Sequence, residues 1–237
     1  MQQDEPGEQD NSERESGFLE TIESSDDRQT HENRTAPRGR FFLEGDDSLL
    51  AECLTAKPRV ELEIGSGKGL FLINASRMHP DTQWVGLELA AKYAWECQNK
   101  VERKQLENVR FFACDAVAVL ERDIPDESLD AIHCYFPDPW WKAKHKKRRV
   151  LNDQTLRNIE RALKAGGSFH FWTDVLDYYE LTLERIDQAT SLLGPYFVGE
   201  PPANHDMDYR THFERRTRRN GLPVYRSRFE KARIPSL

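Results

Sequence analysis

From residue 59 to about residue 192, short β-rich runs alternate with longer helical patterns, which restricts the fold to a parallel sheet covered by helices on both faces. Residues 59–64, 83–88, 109–113, 130–136 and 168–173 read as strands. Helical patterns run from the first strand's glycines to about residue 79, then over 90–104, 153–164 and 175–192. Gly166 and Gly167 suit a left-handed cap at the end of the 153–164 helix. After Gly194-Pro195 the pattern becomes a Pro-rich loop, and residues 223–229 suit a last strand added at the sheet edge. In open α/β sheets, ligands bind beyond the carboxyl ends of the strands, at the point where strand order reverses. The residues to inspect for chemistry are therefore those just after each strand. Beyond the first loop, all four of those places carry a carboxylate: Glu88, Asp115, Asp138 and Asp174.

Composition divides the chain. Residues 1–40 hold 11 acidic and 5 basic residues and almost no apolar side chain except Phe18, Leu19 and Ile22. Such a stretch cannot bury enough surface to offset its chain entropy, so a disordered acidic tail is expected over 1–40, followed by one domain over 41–237. The tail carries −6 of the formal charge of −7, leaving the rest nearly neutral. A neutral body can still present a basic face, so RNA is not excluded as a partner. There is no basic segment leading into an apolar run near the start, and no apolar stretch near the ~18 residues of a membrane span. A cytoplasmic location without membrane contact is expected. Cys53, Cys97, Cys114 and Cys134 show no C-x-x-C spacing and lie in strand- or helix-like segments, which predicts buried, reduced thiols and no metal site.

Glu63-Ile-Gly65-Ser-Gly67-Lys-Gly69 follows the first strand. Its glycines let the backbone turn tightly and approach a ligand. A dinucleotide fingerprint would place Gly or Ala where Leu70 stands. A phosphate-binding P-loop would need Ser or Thr at Gly69 and another glycine further upstream. The acid before the glycines would repel phosphates, yet would suit a cofactor with a sulfonium and an ammonium. Glu88 is placed to accept both ribose hydroxyls, and Asp115 to accept a bond from an adenine amino group. Glu63, Glu88 and Asp115 thus have the order found in S-adenosylmethionine-binding enzymes, although carboxylates at strand ends also serve as helix caps.

Tyr135-Phe-Pro-Asp138-Pro-Trp-Trp-Lys142 follows the fourth strand, the place that faces the transferred methyl group in such enzymes. Methylases of exocyclic amines carry D-P-P-[YFW] there. Asp138-Pro139-Trp140 lacks the second proline, which disfavours an amine substrate. The string continues through Lys142-Ala-Lys144-His-Lys146-Lys147-Arg148-Arg149, with Trp172-Thr-Asp174 and Thr211-His212-Phe213-Glu214 further on. Together with Leu62–Gly69, Val85–Glu88 and Cys114–Ala116, these motifs closely resemble the bacterial tRNA (guanine-N7-)-methyltransferase family, in order, over about residues 40–233. The chain departs from that pattern at Trp141 and in its acidic tail. The resemblance implies a Rossmann-like class I methyltransferase fold: a mostly parallel seven-stranded sheet, helices on both faces and an antiparallel edge strand. It implies that S-adenosylmethionine donates a methyl group to N7 of guanosine 46 in the variable loop of tRNA, with no obligatory protein partner. It maps Glu63, Gly65, Gly67, Gly69, Glu88, Asp115 and Asp138 to the cofactor, with Asp138 also catalytic. Lys142, Asp174, Thr211, His212, Phe213 and Glu214 map to the substrate.

The run from Lys142 to Arg149 holds six basic residues and no acid, and the stretch from Arg210 to Arg233 holds nine against two acids. Lys144, Lys146, Lys147, Arg148 and Arg149 are expected to contact phosphates, and Trp140, Trp141 or Tyr209 to stack on a base or to pack as core. Three other functions compete. An amine methylase is disfavoured by Asp138-Pro139-Trp140, a non-catalytic RNA-binding protein by the intact carboxylates, and a nicotinamide oxidoreductase by Glu63 and Leu70.

Overall fold

Alternation along β1 (Arg59–Ile64) sorts its side chains between two unlike layers. Val60, Leu62 and Ile64 enter a large apolar cluster, whereas Glu61 and Glu63 lie on the opposite face and are buried there as well. The same division holds in β4 (Leu129–Tyr135) and β5 (Leu163–Thr173). Ile132, Cys134, Phe169 and Phe171 join the apolar layer, while His133, Tyr135, His170 and Trp172 occupy the other.

The computed structural model describes residues 46–140, 148–203 and 208–233. They all belong to one unit, residues 38–237; the other unit, residues 1–37, and the boundary expected at residue 40 lie outside the described residues. With β2 (Thr82–Glu88), β3 (Val109–Ala113), β6 (Leu193–Phe197) and β7 (Tyr225–Glu230), the strands form a seven-stranded sheet in the order β3-β2-β1-β4-β5-β7-β6. Pairs among β1 to β5 are parallel, and β7 runs antiparallel to both of its neighbours. Strand order reverses between β1 and β4, so the crevice expected to take ligands lies beyond their carboxyl ends.

Helices α1 (Asp46–Thr55), α4 (Ala116–Arg122), α5 (Asp153–Ala162) and α6 (Leu176–Ala189) supply the apolar cluster on one face. Helices α2 (Leu70–Met78) and α3 (Ala91–Arg103) cover the other. In α3, Ala94, Cys97 and Val101 recur at helical spacing and are buried. Helix α7 (His212–Arg219) precedes β7. All four cysteines are buried thiols, as the spacing predicts. Among the described residues, no helix is long and apolar enough to cross a membrane.

Two expectations fail at the far end of the sheet. Gly166 and Gly167 do not cap α5, which ends at Ala162 and passes through an extended Leu163 directly into β5. A Cβ on Gly167 would lie 2.9 Å from the Lys164 carbonyl and 3.2 Å from those of Leu129 and Asp130, so close strand approach explains the glycine. The final strand β7 is not itself the edge. Residues 193–197, expected to be loop, form β6 and take that place.

Candidate active site

The glycine loop leaves β1 with Gly65, Gly67 and Gly69 all at positive φ (74°, 53° and 74°). A Cβ at Gly65 or Gly67 would meet nothing within 4 Å, so these two glycines line open space. Gly69 differs, because its Cβ would lie 2.7 Å from Cys97 Sγ and 2.9 Å from the Phe111 ring; it is required by packing at the start of α2. Glu88, at the end of β2, clamps the loop by accepting the Gly67 N–H with Oε2 and the Ala90 N–H with Oε1, each at 2.8 Å.

Glu63 lies beneath that loop, 3% exposed, and its Oε2 has no hydrogen-bond partner among the described residues. Burial, reinforced by the negative charge of Glu88, raises its pKa to about 8 against a weaker opposing hydrogen bond from Ser66. A neutral carboxyl of this kind accepts a cation readily, because the incoming charge offsets the desolvation that keeps it protonated. Asp115 stands after β3 as the N-cap of α4, its Oδ1 accepting the Val117 N–H at 3.0 Å. It therefore serves as a helix cap beside the cleft, whatever else its other oxygen contacts.

Asp138 is exposed on the loop after β4, between two non-glycine residues in the left-handed region, Phe136 (φ 51°) and Trp140 (φ 43°). Such conformations cost of order 1–3 kcal/mol each and persist only where surrounding contacts enforce them. One enforcing contact is Arg149, whose Nε donates to the Pro139 carbonyl at 2.6 Å and whose guanidinium lies over the Tyr178 ring at 5.0 Å. Arg149 is only 8% exposed, so the expectation that it meets RNA phosphates is corrected: its charge is turned inward to brace the loop of Asp138. Arg148 does remain exposed, with its guanidinium 5.1 Å from the centre of the Trp140 ring. Lys142, Lys144, Lys146, Lys147 and Trp141 lie outside the described residues.

Thr211 caps α7 by accepting the Glu214 N–H at 3.0 Å, and Glu214 Oε2 accepts the Arg210 N–H at 2.7 Å, a reciprocal arrangement close to a capping box. The other Glu214 oxygen pairs with Arg218 and Arg226 at 3.3 and 3.1 Å. Glu214 is fully buried, so its side chain braces the site and offers no surface to a substrate, contrary to expectation. Other α7 side chains reach the neighbouring loops. Phe213 is 52% exposed and stacks on Phe136 at 6.1 Å, and Thr217 donates to Asp174 Oδ2 at 3.2 Å. Partial burial, then the positive charges of Arg215, Lys68 and Lys100, lower the pKa of His212.

The structure thus gathers at one edge of the sheet the glycine loop, the Asp138 loop, Asp174 and the first turn of α7. Sequence reasoning did not find Arg210, which joins several of these pieces, nor the polar layer of Glu61, His133 and His170. The one available signal was the repeat of polar residues at every second position in β1, β4 and β5.

The family described as "Putative methyltransferase" matches residues 57–227. A tRNA (guanine-N(7)-)-methyltransferase from Rhodopirellula baltica is 44% identical over 178 residues, 73% of this chain and 66% of that protein. One from Alcanivorax borkumensis is 37% identical over 198 residues, covering 81% of each chain. Among solved structures, the aminoglycoside resistance methyltransferase NpmB1 superposes with a TM-score of 0.52 at 18% identity, covering 78% of this chain and 93% of that one. A precorrin-6y C5,15-methyltransferase from Geobacter metallireducens does so with the same score and identity, covering 78% and 87%. These two establish the Rossmann-like α/β fold. The family match and the two curated relatives, not the fold, place the chain in the tRNA (guanine-N7-)-methyltransferase family.

Proposed function

We propose that this methyltransferase transfers the methyl group of S-adenosylmethionine to N7 of guanosine 46 in the variable loop of tRNA. The observation that carries the reading is the convergence of three features at one sheet edge. They are a buried acid with an unsatisfied oxygen under an open glycine cradle, a strained loop presenting Asp138, and the start of α7 beside that loop. The donor set fits this cofactor. Glu63 suits a cationic group, the cradle at Gly65 and Gly67 has room for it, and Glu88 and Asp115 stand where ribose and adenine are accepted.

When bound, the cofactor supplies an electrophilic methyl group on a cationic sulfonium. Guanine N7 attacks with a lone pair and has no proton to lose, so the protein needs no general base. Its contribution is orientation and negative potential. Asp138 provides both by accepting hydrogen bonds from the guanine edge and offsetting the positive charge that passes to the ring. Lys142, Asp174, Thr211, His212 and Phe213 hold the nucleoside, while Lys144, Lys146, Lys147 and Arg148 contact backbone phosphates. The protein works in the cytoplasm without an obligatory protein partner.

Incubation with labelled S-adenosylmethionine and unmodified tRNA, followed by nucleoside analysis, tests the reading. The expected product is 7-methylguanosine, lost when position 46 is substituted and made far more slowly by a folded Asp138→Asn variant. Label in an exocyclic amine, or a near-normal single-turnover rate for Asp138→Asn, overturns it.

A further inference from the structure

The face of the sheet that carries Glu63 also carries a buried chain of polar side chains. Arg210 Nη1 donates to Tyr135 Oη at 3.1 Å, Tyr135 Oη lies 2.9 Å from His133 Nδ1, and His133 Nε2 lies 2.7 Å from Glu61 Oε2. Arg59 Nε closes the far end on Glu61 Oε1 at 2.6 Å. Donor chemistry gives this chain a single direction. A guanidinium only donates, so the Tyr135 oxygen accepts from Arg210 and passes its own proton toward His133 Nδ1. His133 then carries its hydrogen on Nε2 and donates it to the Glu61 carboxylate. Burial lowers the pKa of His133 despite the pull of Glu61. Burial alone would raise Glu61, but the hydrogen bonds and charges of His133 and Arg59 outweigh it. A neutral imidazole and an ionised carboxylate are the states this wiring needs.

Arg210 is the outer end of the chain and remains an exposed residue. Its guanidinium lies over the rings of Phe71 and Trp172, at 5.5 and 5.1 Å. Its backbone N–H meets Glu214, and its hydrogen-bond acceptor Tyr135 immediately precedes the loop that bears Asp138. One residue therefore ties together the helix after the glycine loop and the ends of β4 and β5 through its side chain, and the capped start of α7 through its backbone N–H.

We propose that Arg210 is a positioning residue for the tRNA guanosine: the Glu61–His133–Tyr135 chain fixes its orientation, and it holds the Thr211–Phe213 segment against the Asp138 loop. This rests on the methyl transfer proposed above. The planar guanidinium matters as well as its charge, since lysine can neither lie flat between two rings nor keep the same fork toward Tyr135.

A double-mutant cycle with Arg210→Lys and Tyr135→Phe tests it. Each variant is expected to keep wild-type cofactor affinity and to stay folded at the assay temperature while lowering kcat/KM for tRNA roughly tenfold, the order for one hydrogen bond to a charged group. The double variant is expected to lose about tenfold as well, because both changes break one link. A roughly hundredfold loss marks two independent effects and overturns the proposal. So does an unchanged kcat/KM in either single variant, or a loss accounted for by weaker cofactor binding or by the fraction unfolded at the assay temperature. Should Tyr135→Phe fail to fold, Glu61→Gln, at the remote end of the chain, replaces it in the cycle with the same expectations. Wild-type protein that makes no 7-methylguanosine overturns the reaction itself, and the proposal falls with it.

Discussion

Glu63 occupies a costly position for an acid, buried with one oxygen unpaired and Glu88 nearby. The cost has a definite pH dependence. The folded pKa, about 8, lies above the ordinary value of 4.5, so between these limits the unfolded chain releases a proton that the folded chain retains. Stability therefore falls as pH rises from about 4.5 to about 8, by at most about 1.4 kcal/mol per pH unit, and levels off above. Glu63→Gln removes this titration, so urea midpoints of variant and wild type should diverge across that window in favour of the variant. Parallel profiles would show that Glu63 titrates normally. The same variant should bind S-adenosylmethionine more weakly, since the group that accepts its cation is gone. Glu63 was legible in the sequence because it directly precedes a glycine pattern. The chain ending at Arg210 was not, because its members are about 150 residues apart and meet only through strand pairing and the return of α7.

Among the elements, β1 to β4 were legible nearly to the residue, whereas β5 was legible only over 168–173, because Gly166 and Gly167 read as a helix cap and hid its first five residues, 163–167. Helix α4 was missed because seven residues hold too few turns for a period to show. In α7, HFERRTRR has no apolar stripe, and its one helix signal, Thr211 with Glu214 three residues later, also suited a substrate motif. Strand β6 contains Gly194 and Pro195 and buries none of its side chains, so neither composition nor alternation marked it. The basic stretch after the fourth strand divides in the same physical way. Neutralising Lys144, Lys146, Lys147 and Arg148 should flatten the salt dependence of tRNA binding, each lost phosphate contact lowering the slope by roughly 0.7–0.9. Arg149→Gln should leave that slope unchanged, destabilise the fold by about 1.5–3 kcal/mol and depress turnover, because it removes the donor to Pro139. A slope that falls equally with Arg149→Gln would return that residue to the RNA surface.

For the whole molecule, charge is distributed unevenly along the chain: residues 1–40 carry −6 while the remainder is nearly neutral. Deleting residues 1–34 is expected to leave the melting temperature and the turnover number on tRNA nearly unchanged. At low salt it should tighten tRNA binding modestly, since anionic side chains compete with phosphates for basic groups and salt screens that competition. Unfolding, or loss of most activity, on truncation would give the segment a structural role.

The unlike faces of the sheet also limit how the gene can drift. In β1 and β4, acids and ring nitrogens alternate with Val, Leu, Ile and Cys, and the two sets pack against different helices. Deleting or inserting a single codon in either strand would exchange them, sending Glu61 and Glu63 into the apolar layer and Leu62 and Ile64 into the polar one. Length variation should therefore accumulate in the connections at the amino edge, and reading-frame-preserving indels within these two strands should be purged even where every substitution around them is tolerated.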